Sequence, residues 1–297
     1  MTGIAQATPT TRALVTGGIP RRQAVPREGR TWWIHLVLGV GGFIMAFPFL
    51  WQIIMSLSTQ AEVQSVPPTF WPAHLQWSSY VEVFERLPFL QQLQTSVWMT
   101  VVQTCAQIVL CTFAGYAFAR MRFRGRALLL ALVLSILLVP SQVYLLSQYQ
   151  IVQSLGWLNT LMGIVAPGLF SAFGTFLMRT AFLNLPAELE EAARIDGANP
   201  FQVFTRVMLP LVHPSISVLA ITTILWSWNL LLWPLVVSTQ AEAMPLAAGL
   251  ATLSSDRTTD YPVLMAASLM AMAPVLIMFI LLQRRVIDGL AASGLKG

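Results

Sequence analysis

Leu185-Pro186-Ala187-Glu188-Leu189-Glu190-Glu191-Ala192-Ala193-Arg194-Ile195-Asp196-Gly197-Ala198-Asn199-Pro200-Phe201-Gln202 sits between apolar runs at residues 157 to 178 and 213 to 238, and it is too polar to share their surroundings. A charge held at mid-membrane costs about 2.5 to 3.5 kcal/mol on insertion scales, so the chain leaves the membrane here and the flanking runs cross it. Local chemistry predicts two short helices. Pro186 suits a first helical turn, Glu188, Glu190 and Glu191 favour its positive end, and Gly197 supplies the left-handed stop. Asn199 then caps a second helix, with Pro200 first and Gln202 third, running through Val207 toward Leu209-Pro210.

Outward from this loop the sequence repeats the same alternation. Apolar runs fall at 32 to 57, 92 to 119, 127 to 147, 157 to 178, 213 to 238 and 263 to 283, each able to cross about 30 Å of hydrocarbon. Composition agrees: 56% of residues are hydrophobic and only 10% charged, against about 25% charged in soluble domains. The expected fold is therefore all-α, a polytopic bundle of six transmembrane helices over residues 32–285, with tails at 1–31 and 286–297. The first run starts after an arginine-containing stretch and is longer than a signal-peptide core, so it reads as a retained anchor.

Charge sets the orientation. Fifteen of the 17 basic residues fall before the first run, after the second, fourth and sixth, on one side of the membrane. Arg86 and Arg257 fall on the other with Glu62, Glu82, Glu85, Glu242, Asp256 and Asp260. The positive-inside rule then places both termini and the 185–210 loop in the cytoplasm. This asymmetry accounts for the net charge of +5 without a nucleic-acid partner.

Other chemistry is sparse. Cys105 and Cys111 lie about 9 Å apart along a helix axis and cannot pair, and His35, His74 and His213 are scattered, so no metal site is expected. No charged residue lies well inside a run, which argues against an ion-driven secondary transporter. The lone lysine, Lys296, is followed only by Gly297, so the chain lacks a P-loop Gly-Lys-Ser/Thr core. Neither H-E-x-x-H nor G-x-S-x-G occurs, and no catalytic residue is assigned.

The loop also carries a longer pattern: Glu191-Ala192-Ala193, three residues, Gly197, nine residues, Val207, one residue, Leu209-Pro210. It resembles the EAA motif (E-A-A-x3-G-x9-I-x-L-P) of ABC importer membrane subunits, with Val in place of Ile. Ala114-Gly115-Tyr116-Ala117-Phe118-Ala119-Arg120 with Phe123-Arg124-Gly125-Arg126, the turn Leu155-Gly156 with Asn159-Thr160, and the ending Gln283-Arg284-Arg285, Gly289-Leu290, Leu295-Lys296-Gly297 extend the likeness over most of the chain. Together they resemble the second permease of carbohydrate-type importers such as the maltose and glycerol-phosphate systems. Ser293-Gly294 departs from the Gly-Ala usual there.

That resemblance implies a type I ABC importer permease in the bacterial cytoplasmic membrane, carrying a sugar or sugar-like solute. It implies a second, different permease, a cytoplasmic ABC ATPase dimer that holds Mg-ATP, and an extracytoplasmic solute-binding protein as partners. ATPase coupling falls to Glu191, Ala192, Ala193, Gly197, Leu209 and Pro210, with a further ATPase contact by Lys296 and Gly297. Independently, polar and aromatic residues inside the runs mark a solute path, because unpaired polar groups facing lipid are costly. These are Gln103 and Gln107 of the second run and Thr223, Trp226, Ser227 and Asn229 of the fifth. Leu230 stands where the family often has an acidic residue. A non-transporting membrane scaffold is the alternative outside transport altogether.

Overall fold

The computed structural model describes residues 32–67, 69–254 and 259–294. Residues 1–31, Lys296 and Gly297, to which the sequence assigns a tail and an ATPase contact, lie outside them. The described residues are helical with no strand. The chain divides at Pro48, inside the first helix, α1 (Trp32–Ser56), into two units. The described part of the first unit is the leading half of α1, which exposes apolar side chains such as Trp33, Leu38, Phe43 and Met45.

The second unit begins with the end of α1 and continues through α2 (Gln60–Val63) and α3 (Ser78–Arg86) to α4 (Phe89–Arg120), a 32-residue helix. At 1.5 Å per residue α4 spans about 48 Å, more than the hydrocarbon core requires. The run at 127 to 147 is broken into α5 (Arg126–Ser135), continued by a 3₁₀ turn to Leu138, and α6 (Ser141–Ser154), bent by 103°. Pro140 causes the break: it has no N–H for the ladder and drives Val139 to an extended φ/ψ of −97°/117°.

The run at 157 to 178 likewise becomes α7 (Leu161–Val165) with a 3₁₀ turn to Gly168, then α8 (Ala172–Leu183), bent by 44°. Ser171 restarts the helix, its Oγ accepting the Gly174 N–H at 3.0 Å. The loop folds as α9 (Glu188–Ile195), α10 (Pro200–Gln202), a π-helical segment at Val203–Met208 and α11 (Leu209–Leu211). After a 73° bend come α12 (His213–Trp228), α13 (Leu232–Val237), α14 (Leu246–Leu253) and α15 (Tyr261–Gly294). The run at 213 to 238 is thus two helices, separated at Asn229–Leu231. Pro274 lies inside α15, which continues through it.

Three described helices are long and apolar enough to cross a membrane: Trp32–Ser56, Phe89–Arg120 and Tyr261–Met278. The total reaches six if each bent pair is one span. Within the second unit α4 is the hub, packing most extensively on α8 and then on α12, which in turn meets α15. Gly115 permits the closest approach: a Cβ there would lie 2.6 Å from Met178 Cβ and 2.8 Å from the Arg179 backbone nitrogen. Cys111, Met178, Phe182, Phe204, Met208 and Leu219 form one apolar core around this crossing. A second core joins Val83 and Phe89 to Leu246, Val263, Ala266 and Ala267.

Outside the apolar core, Arg86 bridges Glu82 (2.8 Å) and Asp260 (2.7 Å), tying α3 to the start of α15. Gln60 does the same for α2, donating to the Thr259 carbonyl and accepting the Tyr261 N–H.

Candidate functional site

Two places in the second unit concentrate the residues the sequence singles out. The first is the loop. Helix α9 begins at Glu188, leaving Pro186 just ahead of the helix rather than in its first turn. It ends as expected: Gly197 has φ +83°, a left-handed angle at no steric cost to glycine. Asn199 and Gln202 form the reciprocal capping box, with Gln202 N–H to Asn199 Oδ1 and Asn199 N–H to Gln202 Oε1 both at 2.9 Å. Beyond Gln202 the backbone is π-helical, a departure that the sequence does not signal.

Six of the eight residues of α9 are exposed, Leu189 and Arg194 among them, and only Glu190 and Ala193 turn inward. Glu188, Glu191, Ala192 and Ile195, spaced as one helical stripe, are exposed, Ile195 to 85% of its surface. The opposite face holds Ala193, packed against the Met178–Phe204 core, and Glu190, only 6% exposed. Val207 and Leu209 are half-buried against the same core, and Pro210 is exposed. A shallow hollow of about 410 Å³ lies between α9 and the π segment, lined by Asp196, Gly197, Gln202 and Arg206 among others. Leu189 and Phe201, the latter at 66%, are further exposed apolar side chains. Of the residues assigned to coupling, Glu191 and Ala192 face outward, Gly197 shapes the turn, and Ala193 and Leu209 root the loop.

Glu190 is a residue that motif reading passed over. Its Oε1 lies 3.4 Å from Arg120 Nε and its Oε2 3.2 Å from Arg194 Nη2. Arg120, the last residue of α4, also donates Nε and Nη2 to the Phe182 carbonyl at 3.1 and 2.6 Å, and Nη2 to the Leu185 carbonyl. In return Arg179 of α8 donates Nε to the Phe118 carbonyl of α4 at 3.3 Å. Each arginine thus satisfies carbonyls at the C-terminal end of the other's helix, where the dipole favours a cation.

The second place is a cleft of about 710 Å³, within the range of small-molecule sites. Its wall contains Gln107, Thr222, Thr223 and Trp226 together with two chain breaks, Val139–Ser141 and Phe170–Ala172. Gln107 Nε2 donates to the Gly168 carbonyl at 2.8 Å, and its Oε1 accepts the Thr223 hydroxyl at 2.9 Å, so both ends of the amide are held. Trp226 remains 53% exposed. Tyr144, Phe170 and Phe173 add rings that the sequence reading did not single out. Interruptions in the apolar runs at Pro140 and Ser171 are the signal that would have found them, since broken helices in membranes line cavities.

The remaining pathway candidates lie elsewhere. Gln103 is fully buried away from the cleft, its Nε2 3.4 Å from the Val165 carbonyl and its amide pressed against Gly168. Ser227 is fully buried too. Asn229 is exposed at the end of α12 and donates back to the Leu225 carbonyl at 2.8 Å.

Comparison with known proteins places this geometry in context. The family model for the binding-protein-dependent transport system inner membrane component matches residues 107–290. The arabinooligosaccharides transport system permease protein AraQ of Halalkalibacterium halodurans is 34% identical over 270 residues, covering 90% of this chain and 97% of the relative. The sn-glycerol-3-phosphate transport system permease protein UgpE of Pectobacterium atrosepticum is 30% identical over 275 residues, covering 90% and 98%. A solved bacterial ABC transporter involved in import of the acidic polysaccharide alginate contains a chain of like fold. Its TM-score is 0.73 at 24% identity, over 88% of this chain and 98% of that one.

Proposed function

Because the chain belongs to the family of binding-protein-dependent transport system inner membrane components, we propose that it forms half of the membrane pathway of an ATP-driven importer and couples to a separate ATPase through α9. The six apolar runs are its six spans, with both termini in the cytoplasm. Arg120, Arg179, Arg194 and Arg206, clustered around the loop, support that side as cytoplasmic by the positive-inside rule.

The observation that carries the proposal is the two-faced build of α9. Its outward stripe of Glu188, Glu191, Ala192 and Ile195 is small, acidic and capped by one large apolar residue, while its inner face is rooted on α4 and α8 by Glu190 and Ala193. A cytoplasmic ATPase with a complementary groove can grip such a knob and move what it is rooted to. ATP hydrolysis then belongs to the partner subunits, and its coupling to transport is the difference in their affinity for two conformations of the membrane domain.

The cleft suits a sugar or sugar-like solute. Trp226, Phe170 and Phe173 offer flat apolar faces, and Ser141, Thr222 and Tyr144 offer hydroxyls, with no charge on the wall. Relatives named for arabinooligosaccharides and glycerol 3-phosphate support that class. A second permease closes the other side of the cleft, and an extracytoplasmic binding protein delivers the solute.

The test is uptake into vesicles bearing the assembled complex. Glu191→Lys reverses the charge of the knob, and Gly197→Pro forbids the φ of +83° that ends α9. Each is expected to abolish ATP-dependent uptake while the chain remains inserted. Uptake at the parent rate in both variants would refute the coupling role.

A further inference from the structure

We propose that Arg120, Arg179 and Glu190 fasten α9 to the ends of α4 and α8 as one rigid body, so that force on the loop reaches the cleft through α4 and α8. This rests on the coupling reading of the loop but goes beyond it, because the loop is continuous in sequence with α12 and that helix is the obvious recipient.

The connection to α12 is built to yield. Between α9 and α12 lie the π-helical segment Val203–Met208, a local departure from the α-helical ladder, and a 73° bend at Val212. Pro210 removes a further N–H group from the same stretch.

The connection to α4 and α8 is built to hold. Arg120 grips the Phe182 and Leu185 carbonyls beyond its own helix and lies 3.4 Å from Glu190 Oε1, a charge contact without a hydrogen bond, while Arg179 grips the Phe118 carbonyl in the opposite sense. Glu190 and Arg120 are largely withdrawn from solvent, with side chains 8% and 13% exposed, so their attraction is little screened. The aromatic rings of Tyr116, Phe182 and Phe204 pack beneath them, centroids 4.8 and 5.2 Å from Tyr116 to its two neighbours. Thus the π segment is itself seated on α4 and α8 through Phe204.

Both gripped helices lead to the cleft. Gln107 stands on α4 about 20 Å from Arg120 along an unbroken helix, and Ala172 and Phe173 at the far end of α8 line the same wall. A buried ion pair contributes little net stability but penalises the loss of either partner, which suits a joint that must not slip.

The experiment uses the assembled transporter in proteoliposomes. Glu190→Gln keeps the shape and removes the charge; Glu190→Asp keeps the charge. The expected result for Glu190→Gln is an unchanged amount of bound ATPase and continued hydrolysis, with solute moved per ATP falling at least about fivefold, the lower end of ordinary coupling between sites. Glu190→Asp is expected to recover most of that ratio. A change of less than about twofold in Glu190→Gln would overturn the proposal.

Spin-label distances give a second readout that holds even if Glu190→Gln fails to assemble. In a chain freed of Cys105 and Cys111, labels at Thr180→Cys and Leu189→Cys should keep their separation on adding a non-hydrolysable ATP analogue, while Leu189→Cys and Leu225→Cys should not. A Thr180–Leu189 shift as large as the Leu189–Leu225 shift would overturn it. Failure of the parent chain to bind any ATPase would instead refute the coupling reading, leaving the two failures distinguishable.

Discussion

Glu62 accepts the backbone N–H of Thr59 and of Ala73, each at 2.8 Å, and closes a capping box with the Thr59 hydroxyl. These bonds, the Thr59 amide foremost, hold its carboxyl below the ordinary carboxylate range. A group whose pKa is lower folded than unfolded adds stability that is fully present above its unfolded value, about 4.3 for Glu. That contribution is lost as pH falls through the folded value. Glu62→Gln is therefore expected to lower the apparent Tm of the purified chain at pH 7, and the difference from the parent should close as pH is taken below 4. A difference that persists unchanged in acid would show that the carboxylate charge is not the source. Gln107 is held by neutral bonds alone. Gln107→Leu strands the Gly168 carbonyl and the Thr223 hydroxyl in a buried wall, at a cost of about 1–3 kcal/mol per unsatisfied group. Thermal unfolding in detergent is the measurement, and a neutral result would mean that neither bond persists in the membrane.

At the level of elements, the crossing of α4 with α8 is set by Gly115. A methyl there meets backbone as well as the Met178 side chain, so the helices must part. Gly115→Ala is expected to destabilise by roughly 1–3 kcal/mol, as overpacking does, read as a lower midpoint of thermal unfolding. How far such elements could be read from sequence depended on how local their causes are. The end of α9 at Gly197 and the Asn199–Gln202 box were legible because every partner lies within four residues. The break at Val139–Pro140 was legible as a proline but not as a bend of 103°. The break at Asn229–Leu231 was marked only by Asn229 itself, a polar residue at the end of α12. Glu190 and Arg120 are separated by 70 positions, and nothing in a single sequence pairs them. Gln103 and Gln107 lie on one face of α4, and only the placement of Gly168 decides which lines the cleft and which is buried behind it.

For the molecule as a whole, the proposed function divides the work between membrane and cytoplasm: the bundle, whose cleft wall carries no charge, would hold the pathway, and the charged loop would receive the force. The apolar, all-helical character of the bundle was legible in composition; the contacts of Arg120 with Glu190 and the end of α8 needed coordinates. In the proposed function the energy enters at α9 from a separate ATPase subunit. A photocrosslinking residue placed at Ala192, on the exposed stripe, tests this most directly, with one at Trp71, on the opposite side of the membrane by the charge rule, as control. In the assembled transporter the account predicts a covalent adduct from position 192 to a nucleotide-hydrolysing subunit and none from position 71. No ATPase adduct from position 192, or labelling of that position from outside the cell, would contradict it.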